Sequence, residues 1–234
     1  MSAAAALPIG GLIPFSTVDY PGALAAVVFC QGCPWRCGYC HNPHLRAARG
    51  AETLSWPSLA AWLRERQGLL DAVVFSGGDP TIHASLPAAM REVKDLGFRV
   101  GLHTGGVAPG RLRGVLSLVD WVGFDVKAPR RLYARITSDA GGAKRVWESL
   151  HALTTSGVAH ELRTTVHPNL LSRDDGIELA AELSALQARE WTIQSFRAAG
   201  CADATLLAGK RSWSQADLDD AAAAFSGTTR LRSA

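Results

Sequence analysis

Cys30-Gln31-Gly32-Cys33-Pro34-Trp35-Arg36-Cys37-Gly38-Tyr39-Cys40-His41-Asn42-Pro43 is the stretch on which the reading of this chain turns. Four of the five cysteines fall within its first eleven residues, and the fifth, Cys201, stands far downstream. Thiols this close in sequence are poorly placed for unstrained pairing with their neighbours, so a bound metal is the natural occupant. Three occupants compete: a zinc knot, a ferredoxin-like cluster, and an iron-sulfur cluster with one iron left open. A zinc ribbon wants a second ligand pair some distance downstream, and beyond this loop the sequence has no further CxxC and no HxxxH. Cys30-x2-Cys33-x3-Cys37-x2-Cys40 could give four thiolates to a ferredoxin-type cubane.

The inner three, Cys33-x3-Cys37-x2-Cys40, with Tyr39 before the last cysteine, resemble the cluster loop of the radical S-adenosylmethionine (SAM) enzymes. Gln31-Gly32 before them and His41-Asn42-Pro43 after them narrow the resemblance to the activating enzymes of glycyl-radical proteins. It implies a [4Fe–4S] cluster on Cys33, Cys37 and Cys40, with SAM on the fourth iron. Cys30 is then a spare thiol, buried at a strand end.

Outward from this loop, short apolar runs alternate with helical stretches. Strands are expected at 23–29, 71–75, 99–103, 121–126, 160–166 and 191–196. Helices are expected through Leu59 and Leu63 (capped by Ser55, ending near Gly68), through Leu86 to Leu96 (stopped by Gly97), and through Leu112 to Val119. Three more run through Val146 to Leu153, through Ile177 to Leu186 behind Ser172, and through Leu218 to Phe225 behind a Ser214/Asp217 capping box. Six β-then-α units mean parallel strands with right-handed crossovers, either an open sheet or a barrel. The resemblance selects an α/β partial (β/α)6 radical SAM barrel. One domain over 1–234 is expected, with its core at about 15–200 and a C-terminal helix at about 213–226. The Ala-rich ends are expected to be loosely ordered.

The remaining motifs fall where strands end, which is where such folds gather ligands. Gly77-Gly78-Asp79-Pro80 resembles the family's GGE motif, whose backbone receives the SAM amino group, with Asp79 in place of Glu. In His103-Thr104-Gly105-Gly106, Thr104 and Gly106 match the activating enzymes' Asp-Thr-Asn-Gly, while His103 and Gly105 depart from it. Alternation places Asp125 and Lys127 on one face, with Val126 opposite. The resemblance gives that pair contacts with SAM and a substrate peptide, and gives Arg163 the SAM carboxylate or ribose. Of the two cations, Arg163 is expected nearer the solvated rim. Further SAM contacts implied are Tyr39 through its backbone, Asn42, and Gln194 on the adenosine. Asp19-Tyr20-Pro21-Gly22 resembles the leader found before the first strand of activators, which puts Asp19 near the substrate glycine.

Composition bounds the rest. With 47% hydrophobic and 19% charged residues the chain is an ordinary globular one, and its net charge of +3 asks for no nucleic-acid partner. Residues 1–14 carry no basic residue and are broken by prolines and glycines, unlike a signal peptide, and no run is long enough to span a membrane. Clustered free cysteines suit a reducing cytoplasm. The resemblance is nearest to the activating proteins of anaerobic ribonucleoside-triphosphate reductase. It implies a flavodoxin- or ferredoxin-type electron donor, reductive cleavage of SAM, and a glycyl radical on the partner. The alternatives are a radical SAM enzyme with another glycyl-radical, peptide or small-molecule substrate, and a non-catalytic iron-sulfur protein.

Overall fold

Each of the six apolar runs is a strand, and each strand ends at one of the motifs. The computed structural model describes residues 2–48, 50, 54–201, 203–208 and 212–232. Its strands are β1 (Ile9–Ser16), β2 (Ala25–Cys30), β3 (Ala72–Gly77), β4 (Arg99–Thr104), β5 (Trp121–Asp125), β6 (Ala159–Val166), β7 (Glu190–Ser195) and β8 (Thr228–Arg232). They form one sheet in chain order, parallel throughout except that β1 runs antiparallel to β2. The order begins with β1 and ends with β8, so the sheet is open at those two edges rather than closed into a full barrel, with two strands beyond the six expected.

The α-helices are α1 (Trp56–Arg64), α2 (Leu86–Asp95), α3 (Pro109–Val115), α4 (Tyr133–Thr137), α5 (Gly142–Thr154), α6 (Arg173–Ala185), α7 (Ala204–Leu207) and α8 (Gln215–Ala223), with short 3₁₀ turns between some elements. Their starts follow local chemistry. Ser55 caps α1 by accepting from the Ser58 amide, and Ser172–Asp175 and Ser214–Asp217 form capping boxes for α6 and α8. Gly97 and Gly157, at φ +86° and +76°, turn the chain just beyond α2 and α5. Apolar stripes such as Leu86, Ala89, Met90 and Val93 are buried. Each large side chain in such a stripe contributes about 1.5–3 kcal/mol.

Three expectations are corrected. The alanine-rich start is ordered: Ala3–Ala6 form a 3₁₀ turn with Ala4 fully buried. Residues 9–16 were not expected as a strand, since Gly10, Gly11 and Pro14 read as breakers. β1 lies at a sheet edge, where proline is tolerated; β2 is the one strand it pairs with among the described residues, and Ile9 adds an isolated bridge to Leu54. β8 was likewise unforeseen. Met1, Ser233 and Ala234 lie outside the described residues. No described helix is long and apolar enough to cross a membrane.

Parallel register places side chains of equal phase beside one another, and this builds the inner wall. Asp125 pairs with Arg163, Thr165 with Gln194, and His103 with Gly123. Below them Tyr20, Val27, Val74 and Trp121 make a separate apolar floor.

Candidate active site

One cavity opens at the C-terminal ends of the strands. It encloses a volume of about 180 Å³, small beside the roughly 300–1,000 Å³ of drug-sized sites. Cys33, Cys37, Tyr39, Cys40, Asn42, Gly77, Gly78, Asp79, Thr104, Asp125, Lys127, Arg163 and Gln194 all line it. Three other lining residues were not singled out from sequence: Trp35, Ser76 and Thr165. Trp35 lies inside the cysteine string, and Thr165 shares the strand phase of Arg163.

The cysteine loop is framed by backbone bonds. The amides of Gly32, Cys33 and Arg36 donate to the carbonyls of Leu45, Arg46 and Thr137. The Trp35 indole donates to Asp139 at 3.0 Å, and its ring lies edge-on to Tyr133. Burial, reinforced by Asp79, pushes the Cys33 thiol up to about 12; burial also raises Cys37, against the opposing pull of Lys127. Cationic metal reverses that logic, since a coordinating thiol is deprotonated outright. Cys30 closes β2 and is fully buried, with burial pushing its thiol far up. Cys201, remote in sequence, comes beside the loop and donates to the Gly38 carbonyl at 3.5 Å.

The glycines of the next motif are required by close approach. A Cβ on Gly78 would lie 2.1 Å from the Gly32 carbonyl oxygen, and Gly77 has φ +108°. The two loops therefore touch backbone to backbone, with the Gly78 and Asp79 amides donating to the Cys30 and Gly32 carbonyls. The Asp79 carboxylate is committed within the protein. It accepts from the Thr81 amide and hydroxyl, from the Thr104 hydroxyl, and from the Gly105 amide at 2.9 Å. Burial raises its pKa, opposed by these donors, the Thr81 hydroxyl foremost. The shorter acid thus bolts β3 to β4, and the Thr104 hydroxyl is held in the same bolt.

Across the cavity, Asp125 bridges two cations, Lys127 Nζ at 3.2 Å and Arg163 Nε at 3.0 Å. Burial acts to raise the Asp125 pKa, but Arg163 and then Lys127 outweigh it and hold the acid well below the usual range. Burial acts to lower Lys127, yet Asp125 and Cys37 outweigh it and keep the ammonium firmly charged. Tyr133 Oη accepts from the Lys127 amide at 2.8 Å, fixing where that side chain departs. The expected ranking of the cations is reversed: the Arg163 side chain is 11% exposed and that of Lys127 is 17%. The cause is register, which seats Arg163 directly beside Asp125. Gln194 donates to Thr165 at 2.7 Å for the same reason.

His103 is held at both nitrogens. Nε2 faces the Asp19 carbonyl at 3.0 Å and so carries the hydrogen, leaving Nδ1 to accept from Ser76 Oγ at 3.3 Å. Burial first, then Arg163, pushes its pKa down to about 4, which keeps the ring neutral.

These residues fit a cluster and SAM together. Cys33, Cys37 and Cys40 line one cavity with the glycine loops, and with Lys127 and Arg163 held on a single carboxylate, Asp125. Profile comparison agrees: the Radical SAM superfamily matches residues 27–181, and the chain belongs to that superfamily. It is an enzyme whose cofactors are a [4Fe–4S] cluster and SAM. Among its relatives are a Methanocaldococcus jannaschii protein named "putative glycyl-radical enzyme activating enzyme" and the pyruvate formate-lyase-activating enzyme of Clostridium pasteurianum. The first is 29% identical over 74% of this chain and 73% of its own; the second is 31% identical over 71% of each. A solved radical SAM methyltransferase from Sphaerobacter thermophilus superposes with a TM-score of 0.65 at 15% identity, over 92% of this chain and 67% of its own. That likeness speaks for the fold.

Proposed function

We propose that this protein generates a glycyl radical on a partner enzyme, and that the partner is an anaerobic ribonucleoside-triphosphate reductase. The observation that carries the glycyl-radical reading is that the activating-enzyme relatives align over more than two thirds of both chains; the choice of a reductase as partner rests on the sequence resemblance. Cys33, Cys37 and Cys40 would hold the cluster. Gly77 and Gly78, Asn42, the Tyr39 backbone and Gln194 would receive SAM, with Arg163 and Lys127 facing its carboxylate. When bound, the cluster supplies one electron that splits SAM into methionine and a 5′-deoxyadenosyl radical able to take a hydrogen atom. The chain's own part is to orient and enclose. Lys127 and Arg163 are held by Asp125 and are already aimed at an anion before one arrives.

The protein substrate would meet the leader Asp19–Gly22. Next to it, Val18 is 80% and Phe15 57% exposed, apolar surface of the kind that contacts other proteins. An electron would come from a flavodoxin- or ferredoxin-type donor in the cytoplasm, a setting compatible with the free cysteines.

The test is anaerobic incubation of reduced, cluster-loaded protein with SAM and the reductase's large subunit, its glycines deuterated at Cα. A glycine-centred doublet in electron paramagnetic resonance and one deuterium in 5′-deoxyadenosine are expected. Cleavage of SAM with no label transferred overturns the assignment and sends the search to other peptides.

A further inference from the structure

We propose that His103 is a positioning residue that couples occupancy of the SAM cavity to the set of the leader Asp19–Gly22. The ring stands between the two. One edge borders the cavity, while Nε2–H holds the Asp19 carbonyl at 3.0 Å and Nδ1 accepts from Ser76 at the end of β3. The ring also lies edge-on to Trp121 at 5.6 Å, and Trp121 packs against Tyr20 at 5.5 Å. The leader is thus not a loose turn outside the barrel. Tyr20 is buried in the floor, and a Cβ on Gly101 of β4 would come within 3.0 Å of its ring.

The outer half of the leader is built to a separate plan. Ser16 Oγ donates to the Asp19 carboxylate at 2.5 Å and accepts from the Val18 amide at 3.2 Å, so residues 16–19 turn as one unit. That unit carries the exposed Val18 and ends at the carbonyl that His103 holds. A ligand pressing on the cavity side of the ring restrains this bond and, through it, the shoulder. By reciprocity, a partner seated on the shoulder changes SAM affinity by the same factor. The inference rests on the reading above only in taking the shoulder as the partner's landing place.

Amide hydrogen exchange tests it on cluster-loaded protein with and without SAM. SAM is expected to slow exchange both in the loops at residues 30–42 and 77–80 and in the leader at residues 18–23. The leader effect should be about two- to twelvefold, the factor that one net hydrogen bond is worth. In His103→Leu the cavity loops should still respond and the leader should not. His103→Phe keeps a ring against Trp121 without nitrogens and should behave in the same way. His103→Gln can donate to Asp19 and accept from Ser76, and should restore the response. A leader that responds to SAM without His103, or is silent in the parent while the loops respond, overturns the coupling. Silence in the loops and leader alike overturns the SAM assignment of the cavity, and the coupling with it. Transfer of label to a partner is not measured here, so the choice of substrate stands or falls separately.

Discussion

Adding one methyl group to Gly105 should loosen the cysteine loop from a distance. The new Cβ would stand 2.4 Å from Trp35 Cζ3 and 3.1 Å from Cη2. Carbon pairs settle at about 3.5–4.0 Å, so ring and strand end must part by about 1 Å. Neither is free to do so. Trp35 is tied to Asp139 at 3.0 Å and packs on Tyr133, while the Gly105 amide is tied to Asp79 at 2.9 Å. Overpacking of this kind costs about 1–3 kcal/mol. Because Trp35 lies between Cys33 and Cys37, the same strain should lower iron loading. Trp35→Phe removes the offending outer ring; alone it should cost about 0.5–1.5 kcal/mol for the lost indole bond, plus some packing. Combined with Gly105→Ala it should recover about 1–2 kcal/mol relative to the sum. Urea unfolding followed by far-ultraviolet circular dichroism, with iron analysis alongside, measures the cycle. A Gly105→Ala protein within about 0.5 kcal/mol of its parent, or a strictly additive cycle, refutes the packing argument.

Replacing Cys33, Cys37 or Cys40 with Ala should abolish stable [4Fe–4S] content by iron and sulfide analysis, whereas Cys30→Ala should retain it; loss in Cys30→Ala alone would sink the ligand set. Arg163→Ala and Lys127→Ala should each weaken SAM binding about tenfold or more, one charge-assisted contact being worth about 1.5–3 kcal/mol, and equilibrium titration with SAM reads this directly. Asp125 has a folded pKa below its unfolded one, so its stabilising effect is present above about pH 3.9 and is lost as pH falls toward the folded value. Asp125→Asn should therefore be less stable than the parent at pH 6, with the gap closing by about 1.4 kcal/mol per unit below about pH 3.9. A gap unchanged between pH 6 and pH 3 contradicts this linkage.

The six central strands were legible because each is an apolar run that stops at a polar or glycine-rich motif. The edges were not. β8, Thr-Thr-Arg-Leu-Arg, is short and largely exposed and has no apolar run to betray it. β1 hides behind Gly10, Gly11 and Pro14, residues that mark breaks except at a sheet edge. Within the site, spacing put Asp125 and Lys127 on one face, but only inter-strand register seats Arg163 beside them, and register is not written in any one segment. Asp79 shows the same limit. Its position was readable, while its inward turn depends on Thr104 and Gly105, donors 25 and 26 residues away. Gly105, a departure from the activators' Asn, becomes intelligible only once the Trp35 ring is seen where a side chain would stand.

The framing of the cysteine loop ties its shape to distant parts of the chain. The path from Cys30 to Arg36 is drawn by amide–carbonyl bonds to Leu45, Arg46, Thr137 and the Gly78–Asp79 turn. Segments far apart in sequence therefore meet at one thiol-bearing run, and a shift in any of them reaches Cys33 through the backbone rather than through a side chain.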